Sequence, residues 1–207
     1  MTDAENFVLA GFVAGFRWVP PAKKWATGLP RAIPTVSDCL TDFLPAGPDI
    51  EAWQRPLFEP WQRSFADAAA AAGHAPPSPG TAHVLSMSVT AAQGTVLTAL
   101  IEGWLGDLPH PIRLNLTRPA AAPPGAVLGF EVLGFDTGRF HSWLCHRHDT
   151  TAYDELGIRP GKSGMLTTFS DAEHVVDLLS TDQDDTTWFP ALIAEHDIDR
   201  GAVETST

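Results

Sequence analysis

The feature that most constrains the fold is one stretch, VLGFEVLGFDTGRFHSWLCHRHD, running from Val127 to Asp149. Val127, Leu128, Phe130, Val132 and Leu133 form an apolar run broken by Gly129 and Gly134. The alternation is imperfect, which predicts a strand buried on most of both faces rather than one half open to water. Asp136-Thr137-Gly138 follows with turn chemistry, since Asp can bond the backbone just after it and Gly accepts positive φ. The run from Phe140 to His146 is then expected to pair back as a hairpin in the middle of a sheet.

On a strand, side chains alternate between faces. Phe140, Ser142, Leu144 and His146 would share one face, and His141, Trp143, Cys145 and Arg147 the other. A helix would also join His141 to Cys145, because i and i+4 lie on one side. An imidazole beside a thiol lowers its pKa and makes it a nucleophile. His141 and Cys145 are therefore the candidate catalytic pair, with Asp136, or else Asp149, to orient the histidine. Arg139, Phe140, Trp143 and Trp25 are the candidate ligand-binding side chains. Cys145, His146 and His148 offer a second chemistry, since sulfur and imidazole are ligands suited to zinc. Neither arrangement has the C-x-x-C or H-E-x-x-H spacing that would be diagnostic. A structural role explains the same residues, because a free cysteine is among the most buried side chains. The sequence names no cofactor.

With 207 residues, 44% hydrophobic and 18% charged, the chain has enough apolar material for a single core. One globular domain over residues 1–207 is expected, with 74–80 as the best internal boundary and a loose tail from 197. No apolar run approaches the ~18 residues of a membrane span. The first residues are acidic ahead of their apolar run, whereas a secretory signal needs positive charge there, so a cytoplasmic chain with reduced thiols is expected. A formal charge of −12 argues against nucleic acid as a partner, because phosphate binding depends on Lys and Arg. The abundance of Ala, Pro and Gly is that of a high-GC bacterial genome.

Along the chain, Phe7 to Trp18 reads as a strand, and 19–48 as a proline-rich loop packed onto the body. Residues 49–73 read as helix interrupted by Pro56 and Pro60, with Trp61 and Phe65 facing inward. His83 to Val89 reads as a strand. Thr90-Ala91-Ala92-Gln93 fits a capping box and favours a helix over 95–104. Ile112 to Leu116 alternates like a short strand. A short helix is expected from Thr150 to Leu156, capped by Asp149 and ended by Gly157. Ser170-Asp171-Ala172-Glu173 is expected to cap a helix running to Ser180, and a last strand, placed near an edge by Pro190, covers 188–195. Arg159 to Gly164 holds only a G-K-S remnant of a phosphate loop, and Asp182, Asp184 and Asp185 read as a solvated turn.

Strands and helices do not alternate regularly, which favours an α+β fold: a mostly antiparallel sheet with three or four helices on one face. For function the sequence supports an acidic, tryptophan-rich cytoplasmic binding or accessory protein that recognises a protein partner or a small ligand. Toxin-neutralising and biosynthetic accessory proteins are examples of that class. The alternatives are a small enzyme using the Cys/His pair for acyl or thiol chemistry, or a Cys/His metal site. Whether the chain is an enzyme is left open, as is its oligomeric state.

Overall fold

Four apolar runs become the four long strands of one antiparallel sheet in the computed structural model, which describes residues 6–20, 28–41, 64–75, 82–106, 108, 110–181 and 185–197. In chain order the elements are β1 (Phe7–Phe16), α1 (Asp38–Thr41), β2 (Ser64–Phe65), α2 (Ala68–Gly73), β3 (Ala82–Thr90), α3 (Ala91–Leu105), α4 (Pro111–Thr117), β4 (Ala126–Asp136), β5 (Arg139–Ser142), α5 (His148–Leu156), α6 (Phe169–Leu179) and β6 (Thr187–His196). The sheet order is β2-β1-β3-β6-β4-β5. This is the α+β, antiparallel architecture expected from the sequence.

Strands that are apolar on both faces need cover on both, so the helices divide between the two faces rather than gathering on one. Leu97 and Ile101 of α3 and Ile112 of α4 pack with Leu85, Leu133 and Ile193. Val175 and Leu179 of α6 pack with Val132, Leu192 and the fully buried Trp143. Val132 and Leu133 are strand neighbours, as are Leu192 and Ile193, so these two cores lie on opposite faces of the sheet.

Several local expectations are corrected. The Val127–Asp149 hairpin is not central: β5 forms one edge, and β6 takes the middle between β3 and β4. Pro190 is tolerated there for a definite reason. The Val132 carbonyl accepts from Trp143 N–H on the β5 side, so the Val132/Pro190 pair exchanges no ladder bond and Pro190 N faces β3. The β3–β6 ladder has already ended at Ser88/Leu192, so the missing N–H costs no ladder bond. The return strand stops at Ser142, and Cys145–Arg147 turns in a 3-10 helix.

Ile112–Leu116 is helical rather than extended, because Pro111 sits in the first turn and His110 accepts Ile112 N–H as its cap. The capping box does form at Thr90 and Gln93, and opens α3. The cap of α6 is Thr168, two residues ahead of the expected Ser170. Of the helix expected over 49–73, only Ala68–Gly73 is helical among the described residues; Phe65 lies in β2, and 49–63, with Trp61, lie outside them. Residues 182–184 also lie outside the described residues. Among the described residues no helix is long and apolar enough to cross a membrane.

Candidate functional site

The site begins with a charge in an unusual place. Glu131 is the one ionisable residue inside the buried part of β4, between Phe130 and Val132, and it is 2% exposed. A carboxylate there loses its hydration and must find hydrogen-bond donors within the protein. The donors come from the segment just before α1. Ile33 precedes Pro34, which biases it to extended backbone, and Ile33 and Trp18 exchange two backbone hydrogen bonds of 2.8 Å. That anchor carries the chain to Glu131. Thr35 Oγ1 lies 2.8 Å from Glu131 Oε1, and Val36 N–H points at Oε2 across 3.4 Å. The Ser142 hydroxyl on β5 is a further partner. None of these is a cation, so the solvation lost on burial wins over the hydrogen bonds. The pKa is pushed up to about 7 from an ordinary 4.5.

The same residues continue outward to sulfur. Thr35 Oγ1 accepts Ser37 N–H at 3.0 Å and lies 3.0 Å from Ser37 Oγ. Ser37 Oγ lies 3.8 Å from Cys39 Sγ, and Ser142 N–H points at that sulfur across 3.4 Å. Cys39 is joined to Cys145 in a disulfide, with Cα atoms 7.0 Å apart. The expectation of two reduced thiols is therefore corrected. The bridge ties α1 to the turn after β5, and Asp38 strengthens the dock by accepting Phe140 N–H at 2.9 Å.

The residues singled out in the sequence are partly scattered. His141 lies on β5 opposite Gly134, while Cys145 lies beyond the strand end, so the two do not share a strand face. With its sulfur bonded to Cys39, Cys145 offers no thiolate to a carbonyl or a metal until that bond is reduced. Asp136 and Arg139 face each other where the β4–β5 hairpin turns. Phe140 is core, packed edge-on against Phe135 and Phe189. Trp143 is core too, and its Nε1 is buried without a hydrogen-bond partner.

His148 stacks edge-on with Trp188. The His146 side chain and Trp25 lie outside the described residues. Among the described residues no three His, Cys, Asp or Glu side chains gather in a way that could hold a metal ion. Asp149 does not cap α5, whose N-cap is Arg147 at φ 69°. Asp149 is instead buried with Oδ1 unpaired, and burial raises its pKa.

Sequence reasoning passed over Glu131. The signal was present: a strand buried on both faces that contains one Glu must bury that Glu. Thr35 and Ser37 carried no such signal, since nothing local distinguishes them from loop hydroxyls.

A second feature is superficial. Val96, Trp104, Leu108 and Leu114, all on or between α3 and α4, are four of the eight large hydrophobic side chains exposed among the described residues. The fifteen residues of α3 contain a single charge, Glu102. By contrast, α6 turns Ser170, Glu173, His174 and Asp177 to solvent. A groove of about 480 Å³ runs between α3 and the end of α4, lined by Val8, Gly94, Thr98, Glu102 and Leu116. Comparison with known protein families, curated proteins and solved structures found no match.

Proposed function

We propose that this chain is a bacterial cytoplasmic accessory protein that binds a protein partner through the α3–α4 hairpin. The observation that carries this reading is the four exposed apolar side chains of that hairpin, Val96, Trp104, Leu108 and Leu114, in a chain of net charge −12. A surface helix with one charge in fifteen residues is poorly suited to water and well suited to the centre of an interface. The acidic remainder favours a partner with a basic rim, because complementary charge speeds encounter and sets orientation. A small ligand in the α3–α4 groove is the narrower form of the same reading. A cytoplasmic setting is consistent with the Cys39–Cys145 bond if that bond is made and broken, since static disulfides are rare in a reducing cytosol.

The test is native mass spectrometry of the untagged protein purified from its own host, with Val96→Asp and Leu114→Asp variants beside it. Both side chains are exposed, so the fold should tolerate either change. A stoichiometric second protein, weakened by salt and lost in both variants, is the expected result. A complex that survives both substitutions would overturn this placement. A small-molecule adduct in place of a protein would favour the groove-ligand form of the reading, and a metal adduct would move it to the Cys/His alternatives.

A further inference from the structure

We propose that the Cys39–Cys145 disulfide is a thiol–disulfide exchange site, and that Glu131 supplies the proton Cys39 takes up on reduction, through the hydroxyls of Thr35 and Ser37. The proposal is independent of the partner reading above. It rests on a continuous path. Glu131 Oε1, Thr35 Oγ1, Ser37 Oγ and Cys39 Sγ follow one another at 2.8, 3.0 and 3.8 Å. With Glu131 protonated, its O–H can donate to Thr35, Thr35 to Ser37, and Ser37 towards the sulfur. Passing the proton along reverses each hydroxyl and leaves Glu131 ionised, accepting from Thr35.

The far end is prepared as well. Ser142 N–H, already aimed at Cys39 Sγ across 3.4 Å, would stabilise a Cys39 thiolate. A purely structural hydrogen-bond hub at residue 131 would need no titratable group. An acid with a pKa near 7, buried and held by uncharged donors, suits proton exchange at neutral pH. Other ionisable groups border the path. Asp38 accepts Phe140 N–H, His83 meets the Thr35 backbone from β3, and the Arg17–Glu195 pair lies further along the sheet. Across β4, Glu131 faces the apolar Ala191 of β6.

The reductant is a thiol, RSH. Cys39 is half-buried and Cys145 is 8% exposed, so attack is assigned to Cys39, the more exposed of the two residues. A thiolate RS⁻ bonds to Cys39 Sγ, the Cys39–Cys145 bond breaks, and Cys145 leaves as a thiolate that takes a proton from a second RSH. The thiolate so formed attacks the R sulfur of the mixed disulfide. RSSR departs and Cys39 leaves as a thiolate, to which Ser37 passes the Glu131 proton. Glu131 recovers its proton from solvent, where the first RSH released one. Two RSH become RSSR, and the disulfide becomes two thiols.

The experiment uses the oxidised full chain and reduced glutathione over a pH series. Acid quenching, alkylation of free thiols and mass spectrometry then count mixed disulfide and dithiol, and peptide mapping locates the mixed disulfide. Expected are reduction in native buffer, glutathione on Cys39, and resolution of the mixed disulfide with a rate per glutathione thiolate that falls about tenfold per pH unit above the Glu131 pKa near 7. Glu131→Gln should abolish that fall. So should Ser37→Ala, which breaks the path while keeping the carboxyl and serves if Glu131→Gln does not fold. A disulfide that glutathione cannot reduce without denaturant, a wild-type rate per thiolate that ignores pH, or an unchanged profile in a folded variant would each overturn the proposal.

Discussion

Thr35 Oγ1 and Glu131 Oε1 are hydrogen-bonded at 2.8 Å across 96 residues of sequence. This contact pins the segment before α1 to the sheet, and it places a carboxyl where water cannot reach. Its folding linkage has a definite sign. The folded pKa is raised to about 7 from 4.5, so between those values the folded protein keeps a proton that the unfolded chain has lost. Stability from this group is therefore full below about pH 4.5 and falls as pH rises through 7. The loss is on the order of 3 kcal/mol. Glu131→Gln removes the titration. Urea midpoints of wild type and variant should diverge with rising pH in the variant's favour, and parallel curves would show that Glu131 ionises normally.

His83 acts with the opposite sign. It is fully buried on β3, where desolvation first and Arg17 second lower its pKa from 6.5 to about 3; the Thr35 backbone opposes them and is outweighed. The folded state refuses a proton that the unfolded chain accepts below pH 6.5. Stability from His83 is thus full above that value and is lost towards pH 3, by on the order of 5 kcal/mol. His110, lowered to about 4 chiefly by burial, adds to the same acid limb. Together with Glu131 these groups place the maximum near pH 6.5. His83→Gln should flatten the acid limb and leave the alkaline side alone. An acid limb of wild-type steepness in that variant would assign it to other groups.

How much of this was legible in the sequence follows from range. The capping box at Thr90, the stop at Gly157 and the strand character of β1, β3 and β4 are local, and local chemistry decided them. Strand order is not local. The 188–195 run looked like an edge because of Pro190, but whether a proline disturbs a sheet depends on where the neighbouring ladder ends. Alternation in Ile112–Leu116 misled for a related reason, since five residues fit a period of 2 or 3.6 alike and His110-Pro111 decided for helix. At the site, the Val127–Asp149 stretch held one half of the disulfide and the buried acid. The other half comes from 35–39, and only the folded sheet brings the two together.

Gly129 is the backbone position with the least freedom to change. It has φ +135°, at the register shift between Val127 and Gly129, and an added Cβ would run into the Leu166 carbonyl and lie 3.2 Å from Met165 Cβ. The next residue, Phe130, exchanges two 2.8 Å hydrogen bonds with Leu166, so the obstructing carbonyl is held in place. Gly129→Ala should cost about 3 kcal/mol or more, read as a lowered urea midpoint with unchanged slope. Gly73→Ala is the control, because nothing lies within 4 Å of a Cβ added in α2. It should be neutral or slightly stabilising. Equal effects at the two positions would mean that Leu166 can yield.

Breaking the Cys39–Cys145 bond should loosen α1 before it unfolds the sheet. The bond joins residues 106 apart in sequence, and releasing that constraint in the unfolded chain predicts a loss of about 5 kcal/mol. The local consequence is more specific. Phe140 N–H donates to Asp38 on α1, and Ser142 N–H points at Cys39 Sγ, so both amides of the edge strand depend on α1 staying docked. In the Cys39→Ser/Cys145→Ser protein, hydrogen exchange at Phe140 and Ser142 should accelerate well beyond that at Leu85 or Ile193, which lie fully buried on the central strands β3 and β6. Equal acceleration everywhere would mean that only global stability fell. Unchanged protection at Phe140 and Ser142 would mean that the Asp38 hydrogen bond and the apolar contacts of Leu40 hold α1 without the covalent link.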